Sequence, residues 1–164
     1  MTIVNPPGVG VADDKLAHAY VPEMIRFYLG EEPLLASATS YDLAIDEVRE
    51  ELLGRLGETV VKVRDRVGGE GVLIGEEAAG AADDIRRSPG DYIAQELVEL
   101  SRHPTLVDGA LARRRIDLRP LIACDGRGDA PVLGALTRVA LEEDGKVVNM
   151  AQGGGVKATW VVEG

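Results

Sequence analysis

Residues 59–75 place two runs of β-branched and aliphatic residues around a loop in which three of four positions are glycine. The stretch reads Thr59-Val60-Val61-Lys62-Val63-Arg64, then Gly68-Gly69-Glu70-Gly71, then Val72-Leu73-Ile74. Glycine has no Cβ and tolerates positive φ, so the loop can turn tightly between two strands or bring backbone N–H groups close to an anion. In the second case Lys62, a few residues upstream, supplies charge to balance a polyphosphate. The pattern itself admits both a plain β-hairpin and a nucleotide site.

At 164 residues the chain is long enough for one domain with a real core and too short for two comfortable ones. Aromatic residues make up only 4% of it, so the core must be built from Val, Leu, Ile and Ala. A formal charge of −10 argues against a nucleic-acid binder, which needs a basic face. It leaves room for a small polyanion held by local lysines. Cys124 is the single cysteine, so no internal disulfide forms and a reducing compartment fits best. No apolar run approaches the ~20 residues of a membrane helix. Met1 to Pro7 lacks the basic start and apolar centre of a signal peptide. The expectation is a cytoplasmic protein.

A short strand over Thr2 to Asn5 leads into a Pro/Gly turn and a helix of about four turns, capped by Asp13 or Asp14. Leu16, Tyr20, Met24, Phe27 and Tyr28 form its expected buried face, and Pro22 is expected to break it. Ser40 is expected to cap a second helix carrying Tyr41, Ile45, Val48, Leu52 and Leu56 at helical spacing. The central hairpin follows, and a third helix spans Glu76 to Arg87. Strands are then predicted at Tyr92 to Leu100, Ala110 to Arg115, Ile116 to Cys124, Val132 to Leu141, Lys146 to Asn149 and Thr159 to Val162. Asp108-Gly109, Asp125-Gly126 and Asp144-Gly145 supply turns between strands. Helices in front and a largely antiparallel sheet behind predict an α+β fold.

Three other segments gather charge or glycine at element ends. Asp13-Asp14-Lys15 reads most simply as a capped helix start. Asp117 and Arg119 share one face of a strand, as a cross-strand ion pair or a ligand-facing pair. Asn149, Gln152 and Lys157 surround three consecutive glycines, whose entropic cost implies a mobile linker or a backbone close to a ligand. Arg138 is a charge within an apolar strand and requires a partner or a ligand. No Walker A motif and no Gly-x-Ser-x-Gly elbow is present. His18 and His103 are isolated, and no residue is singled out as a metal ligand.

Taken in order, these segments resemble the ATP-grasp superfamily, in its circularly permuted branch related to glutathionylspermidine synthetase-like proteins. The resemblance runs through Gly10 to Lys15, Tyr20 to Ile25, Val61-Lys62 with Gly68 to Gly71, and Ile93-Ala94-Gln95-Glu96. It continues through Pro104 to Gly109, Asp117 to Pro120, Leu136 to Ala140, and Gln152 to Gly155 with Lys157 and Trp160. It implies that Lys15 and Lys62 contact the nucleotide, and that Gly68, Gly69 and Gly71 form a lid over the triphosphate. It further implies that Gln95 and Glu96 lie at the adenine hinge, and that Asp117, Arg119 and Arg138 face the phosphates. Asn149, Gln152 and Lys157 join the implied nucleotide-binding set. Residues 1–97 then form a lid subdomain with both lysines, and residues 98–164 the antiparallel part of the core.

The implied chemistry is ATP-dependent joining of a carboxylate to an amine through an acyl phosphate. It rests on positive charge and preorganised N–H donors. One departure qualifies this. The family's Glu-x-Asn magnesium motif is absent from the sequence. The resemblance therefore implies the C-terminal portion of a longer protein, with Mg2+ ligands mostly outside this chain and little activity in isolation. An apolar seam toward the missing N-terminal portion would favour self-association. The alternative is a non-catalytic nucleotide-binding or protein-interaction domain that retains the fold. A ligand-free β-rich domain would instead hold Lys15 and Lys62 far apart.

Overall fold

A computed structural model describes residues 7–66, 69–124, 129–143, 145, 148 and 154–160, with residues 123, 124 and 129–133 described by backbone alone. The chain divides into two compact units, Met1–Val98 and Glu99–Gly164.

In the first unit, helix α1 (Lys15–Leu29) begins where the Asp14 carboxylate accepts the Leu16 N–H at 2.8 Å. It ends where Gly30, at φ 68°, donates its N–H to Arg26. Pro22 does not break it. The ring removes one N–H while keeping φ in the helical range, and the capped ends hold a single run. The stripe of Tyr20, Met24, Phe27 and Tyr28 has helical spacing but is not a buried face: these side chains are 37%, 41%, 81% and 75% exposed.

Ser40 does not cap a helix. It opens strand β1 (Ser40–Asp42), and helix α2 (Asp46–Leu53) starts only after the Asp42 carboxylate accepts the Ala44 N–H in a turn. Strands β2 (Thr59–Val63), β3 (Val72–Ile74) and β4 (Tyr92–Glu96) complete an antiparallel sheet in the order β1-β4-β2-β3. The run predicted to reach Leu100 stops at Glu96. The predicted third helix is two helices, α3 (Glu76–Gly80) and α4 (Ala82–Arg87), joined at Ala81. One face of the sheet presents Val61 and Ala94 to a core of Leu43, Leu52, Leu56, Ala78, Ala81 and Ile85. By alternation the other face carries Val60, Lys62, Ile93, Gln95 and Ser40, brought side by side by strand register.

The second unit is an antiparallel sheet in the order β5-β6-β7-β8: β5 (Arg102–Val107), β6 (Ala110–Cys124), β7 (Asp129–Val139) and β8 (Gly155–Thr159). Asp108 at φ 50° and Gly109 at φ 81° make the β5–β6 turn expected of that dipeptide. β5 lies in a stretch not predicted as a strand; its Pro104 is tolerated because β5 ends the strand order, where a missing N–H costs little. The two strands predicted over 110–124 are one, with a register shift between Pro120 and Ile122. The sheet curls so that Lys157 on β8 donates to the Pro104 carbonyl on β5 at 2.6 Å. The strand predicted over Thr2 to Asn5, most of those at 146–149 and 159–162, the turn at 125–126, Asp144, and the Cys124 side chain lie outside the described residues.

The expected α+β class holds: the described helices fall in the first unit, and the second is antiparallel sheet. No described helix is long and apolar enough to cross a membrane.

Candidate functional site

Lys62 projects from β2, two residues along from Val60, which lies opposite Gln95 on β4. Its Nζ donates to Gln95 Oε1 at 2.5 Å. Among the described residues this is the one hydrogen bond it makes, so two of its three N–H donors are not spent on protein groups there. Burial, and then the charge of nearby Lys15, pull Lys62 below the ordinary lysine range. An anion bound there would reverse both costs. Lys15 donates to the carbonyl of Val63, the residue after Lys62, and its charge is felt at Lys62.

Lys15 is engaged differently. Its ammonium donates to the carbonyls of Val63 at 2.7 Å and Arg64 at 3.0 Å, and also to that of Arg66. It clips the first turn of α1 to the end of β2. The residue before it does the same with charge. Asp14 takes Arg64 Nε at 3.1 Å and Nη2 at 2.5 Å, while Arg64 Nη1 donates to Gly90 O. The Arg64 hydrogen bonds, then the Leu16 N–H, lower the Asp14 carboxyl, and the Asp14 bond raises Arg64 in turn. Sequence reading took Asp14 as a simple cap and did not single out Arg64. Its signal is the spacing of two from Lys62 along a strand.

A cavity of about 580 Å³ opens beside this clip, lined by Gly10, Asp13, Asp14, residues 63–66 and residues 90–92. Its walls hold Asp13, Asp14, Asp65 and Asp91 against Arg64 and Arg66, and Lys62 is not among them. That balance opposes a polyphosphate in this hollow.

Gln95 and Glu96, adjacent in sequence, face opposite ways. Gln95 joins Lys62 and donates through Nε2 to Ser40 Oγ at 2.9 Å. Glu96 turns to Tyr41 and Arg55: the Tyr41 hydroxyl and Arg55 Nη1 donate to its Oε1 at 2.6 and 3.0 Å. These bonds, Tyr41 first, lower Glu96, and Arg55 lies over the Tyr41 ring. At the hairpin, Gly69 and Gly71 have φ 88° and 67°; Gly68 lies outside the described residues.

In the second unit Asp117 and Arg138 are directly opposite on β6 and β7. Arg138 Nε donates to Asp117 Oδ1 at 2.8 Å, and Nη2 bonds Oδ2 as well. The partner of Asp117 is therefore Arg138 across the strands, and this bond raises Arg138 above the usual arginine range. Arg119 is exposed on β6. Lys157 is held by Pro104 O at 2.6 Å, His103 Nδ1 at 2.8 Å and Thr105 Oγ1 at 3.3 Å. Asn149 and Gln152 lie outside the described residues. Among the described residues no three His, Cys, Asp or Glu side chains gather into a metal site.

Residues 1–140 match the family described as circularly permuted ATP-grasp type 2. The chain is 48% identical to the uncharacterized protein sll0335 of Synechocystis, over all of this chain and 35% of that protein. It is 47% identical to the uncharacterized protein Rv2411c of Mycobacterium tuberculosis, over 94% of this chain and 29% of that protein. A putative glutamate–cysteine ligase of Frankia alni is 40% identical over 98% of this chain and 19% of its own length. The chain thus spans between a fifth and about a third of these curated relatives.

Proposed function

The chain belongs to the circularly permuted ATP-grasp family, type 2, and on that premise we propose that it is the ATP-binding portion of an ATP-dependent carboxylate–amine ligase. The observation that carries this is Lys62: half-buried, beside Lys15, and with N–H donors not spent on protein groups among the described residues. Those features suit a phosphate oxygen, which would restore the charge that burial disfavours. The ligase name carried by the Frankia relatives points in the same direction.

When bound, ATP supplies the phosphoryl group that activates the carboxylate, and the amine then attacks the acyl phosphate to give an amide. Lys62 would hold the phosphate tail, with Gln95 fixing its direction. Lys15 would order the end of β2 from which Lys62 projects. Mg2+ is assigned no ligand here. The exposed stripe on α1 would be covered by the remainder of a longer chain or by a second copy, and the single cysteine favours a cytoplasmic setting.

Titration of ATP with magnesium into the full-length protein tests the assignment. Lys62→Ala is expected to weaken binding by about 10- to 100-fold, the worth of a charge-assisted hydrogen bond. Equal affinities would sink it. A second reading, a non-catalytic nucleotide-binding or interaction domain, is favoured by the engagement of Lys15, Arg138 and Lys157 with protein groups. Phosphate release across a panel of amino acids and amines separates the two: turnover with any pair excludes the second reading.

A further inference from the structure

Ser40, Gln95 and Lys62 form a chain of hydrogen bonds that runs in one direction. Lys62 Nζ donates to Gln95 Oε1, Gln95 Nε2 donates to Ser40 Oγ at 2.9 Å, and Ser40 Oγ donates to the Ala38 carbonyl at 3.1 Å. The ends forbid reversal, because an ammonium only donates and a carbonyl only accepts. Every member between them is thereby oriented. The amide oxygen must face Lys62, the amide nitrogen must face Ser40, and the hydroxyl proton must point to the backbone.

Strand register builds this relay. Ser40 lies opposite Gln95, and Gln95 opposite Val60, two residues from Lys62. Period-two alternation sets all three side chains on the face away from the hydrophobic core. Glutamine has a soft terminal torsion, and an unrestrained amide turns over readily. Ser40 removes that freedom, and its own bond to Ala38 ties the relay to the main chain.

We propose that Ser40 is a positioning residue for Lys62, acting through the Gln95 amide to aim the ammonium at an anionic ligand of this sheet face. Its functional consequence rests on the nucleotide reading above. Nothing in the sequence assigns this to Ser40, whose residue type suits a helix cap equally well.

The test reads Lys62 itself. Trace acetylation of the full-length protein across a pH series, followed by peptide mass spectrometry, gives the titration midpoint of each lysine. In Ser40→Ala the amide is free to turn away, and the half-buried ammonium loses its acceptor. Its midpoint is expected to fall by about one unit. Ser40→Thr keeps the hydroxyl and should restore the wild-type midpoint, while Gln95→Glu should raise it by placing a carboxylate there. Circular dichroism checks that each variant is folded. A Lys62 midpoint that does not fall in Ser40→Ala, or falls equally in Ser40→Thr, overturns the proposal.

ATP affinity is measured in parallel and should drop about three- to tenfold in Ser40→Ala. If Lys62→Ala weakens ATP binding and Ser40→Ala does not, the positioning role is overturned. If the midpoint moves as expected but Lys62→Ala leaves ATP binding unchanged, the relay stands and the nucleotide reading fails.

Discussion

Replacing Gly71 by alanine asks whether this glycine serves the hairpin or a ligand, the alternatives the loop pattern left open. Gly71 has φ 67°, where a residue with a Cβ costs about 1–2 kcal/mol. A Cβ there would also lie 2.9 Å from both Cβ and Cγ2 of Val63. Val63 has little room to retreat. Its N–H bonds the Gly71 carbonyl at 2.9 Å, and it is paired with Tyr92 on β4. Overpacking of this kind adds about 1–3 kcal/mol, so Gly71→Ala should cost about 2–5 kcal/mol in all. Gly30 is the matched control: it has φ 68° with nothing within 4 Å of an added Cβ. Gly30→Ala should therefore cost only the conformational part, about 1–2 kcal/mol. Urea unfolding, with hydrogen exchange at the β2 and β4 amides to localise the loss, measures both. Equal costs for the two variants would refute the argument from Val63. Weakened ATP binding with unchanged stability would instead assign Gly71 to the ligand.

Three further outcomes follow from the paired charges. The Asp14 carboxyl is lowered from 3.8, so its contribution to stability is present above that value and is lost as pH falls through the lower, folded value. Asp14→Asn keeps a competent cap but not the charge. It should cost about 0.2–1 kcal/mol at pH 7 and progressively less as pH falls below 3.8, with Asp14→Ala costing about 1 kcal/mol more at neutral pH, all read from thermal melts. The Asp117 and Arg138 side chains are 26% and 22% exposed. Arg138→Leu should thus cost about 1–3 kcal/mol, between exposed and buried pairs, and a double-mutant cycle with Asp117→Leu should recover most of it. Lys157→Met should raise hydrogen exchange along β5 and β8 while leaving the exchange of β2 and β4 unchanged.

The sequence disclosed most where local chemistry has a single solution. Asp108-Gly109 had to turn a hairpin, and Asp14 opens a helix whose period was plain. It misled where tertiary pairing overrode a local signal. Ser40-Tyr41-Asp42 carries a competent cap residue, yet β4 offers three partners to a short strand, and Asp42 supplies its own turn before α2. The stripe on α1 has the right spacing for burial, but nothing in a periodic pattern says what covers it. Gln95 and Glu96 appear together at one hinge in sequence, whereas alternation along β4 sends them to opposite faces. The acid partner of Arg138 was invisible because it depends on register between β6 and β7, which a bulge near Pro120 and Ile122 adjusts.

On the proposed reading, phosphate affinity should reside where a cation is not already satisfied by protein groups. Lys15 spends its donors on three carbonyls, Arg138 is forked onto Asp117, and Lys157 is shared among Pro104, His103 and Thr105. For each of these a phosphate must replace a bond that already satisfies the cation, so the net gain is the difference between two similar interactions. Lys62 starts from a depressed proton affinity and one neutral acceptor, so an anion there gains a full charge-assisted bond and relieves burial as well. Affinity should therefore be concentrated at Lys62, while Lys15 acts mainly through the backbone it clips. On the proposed reading, a formal charge of −10 is no obstacle to a polyanion, because the attraction would be local, set by one strand position and the groups that aim it.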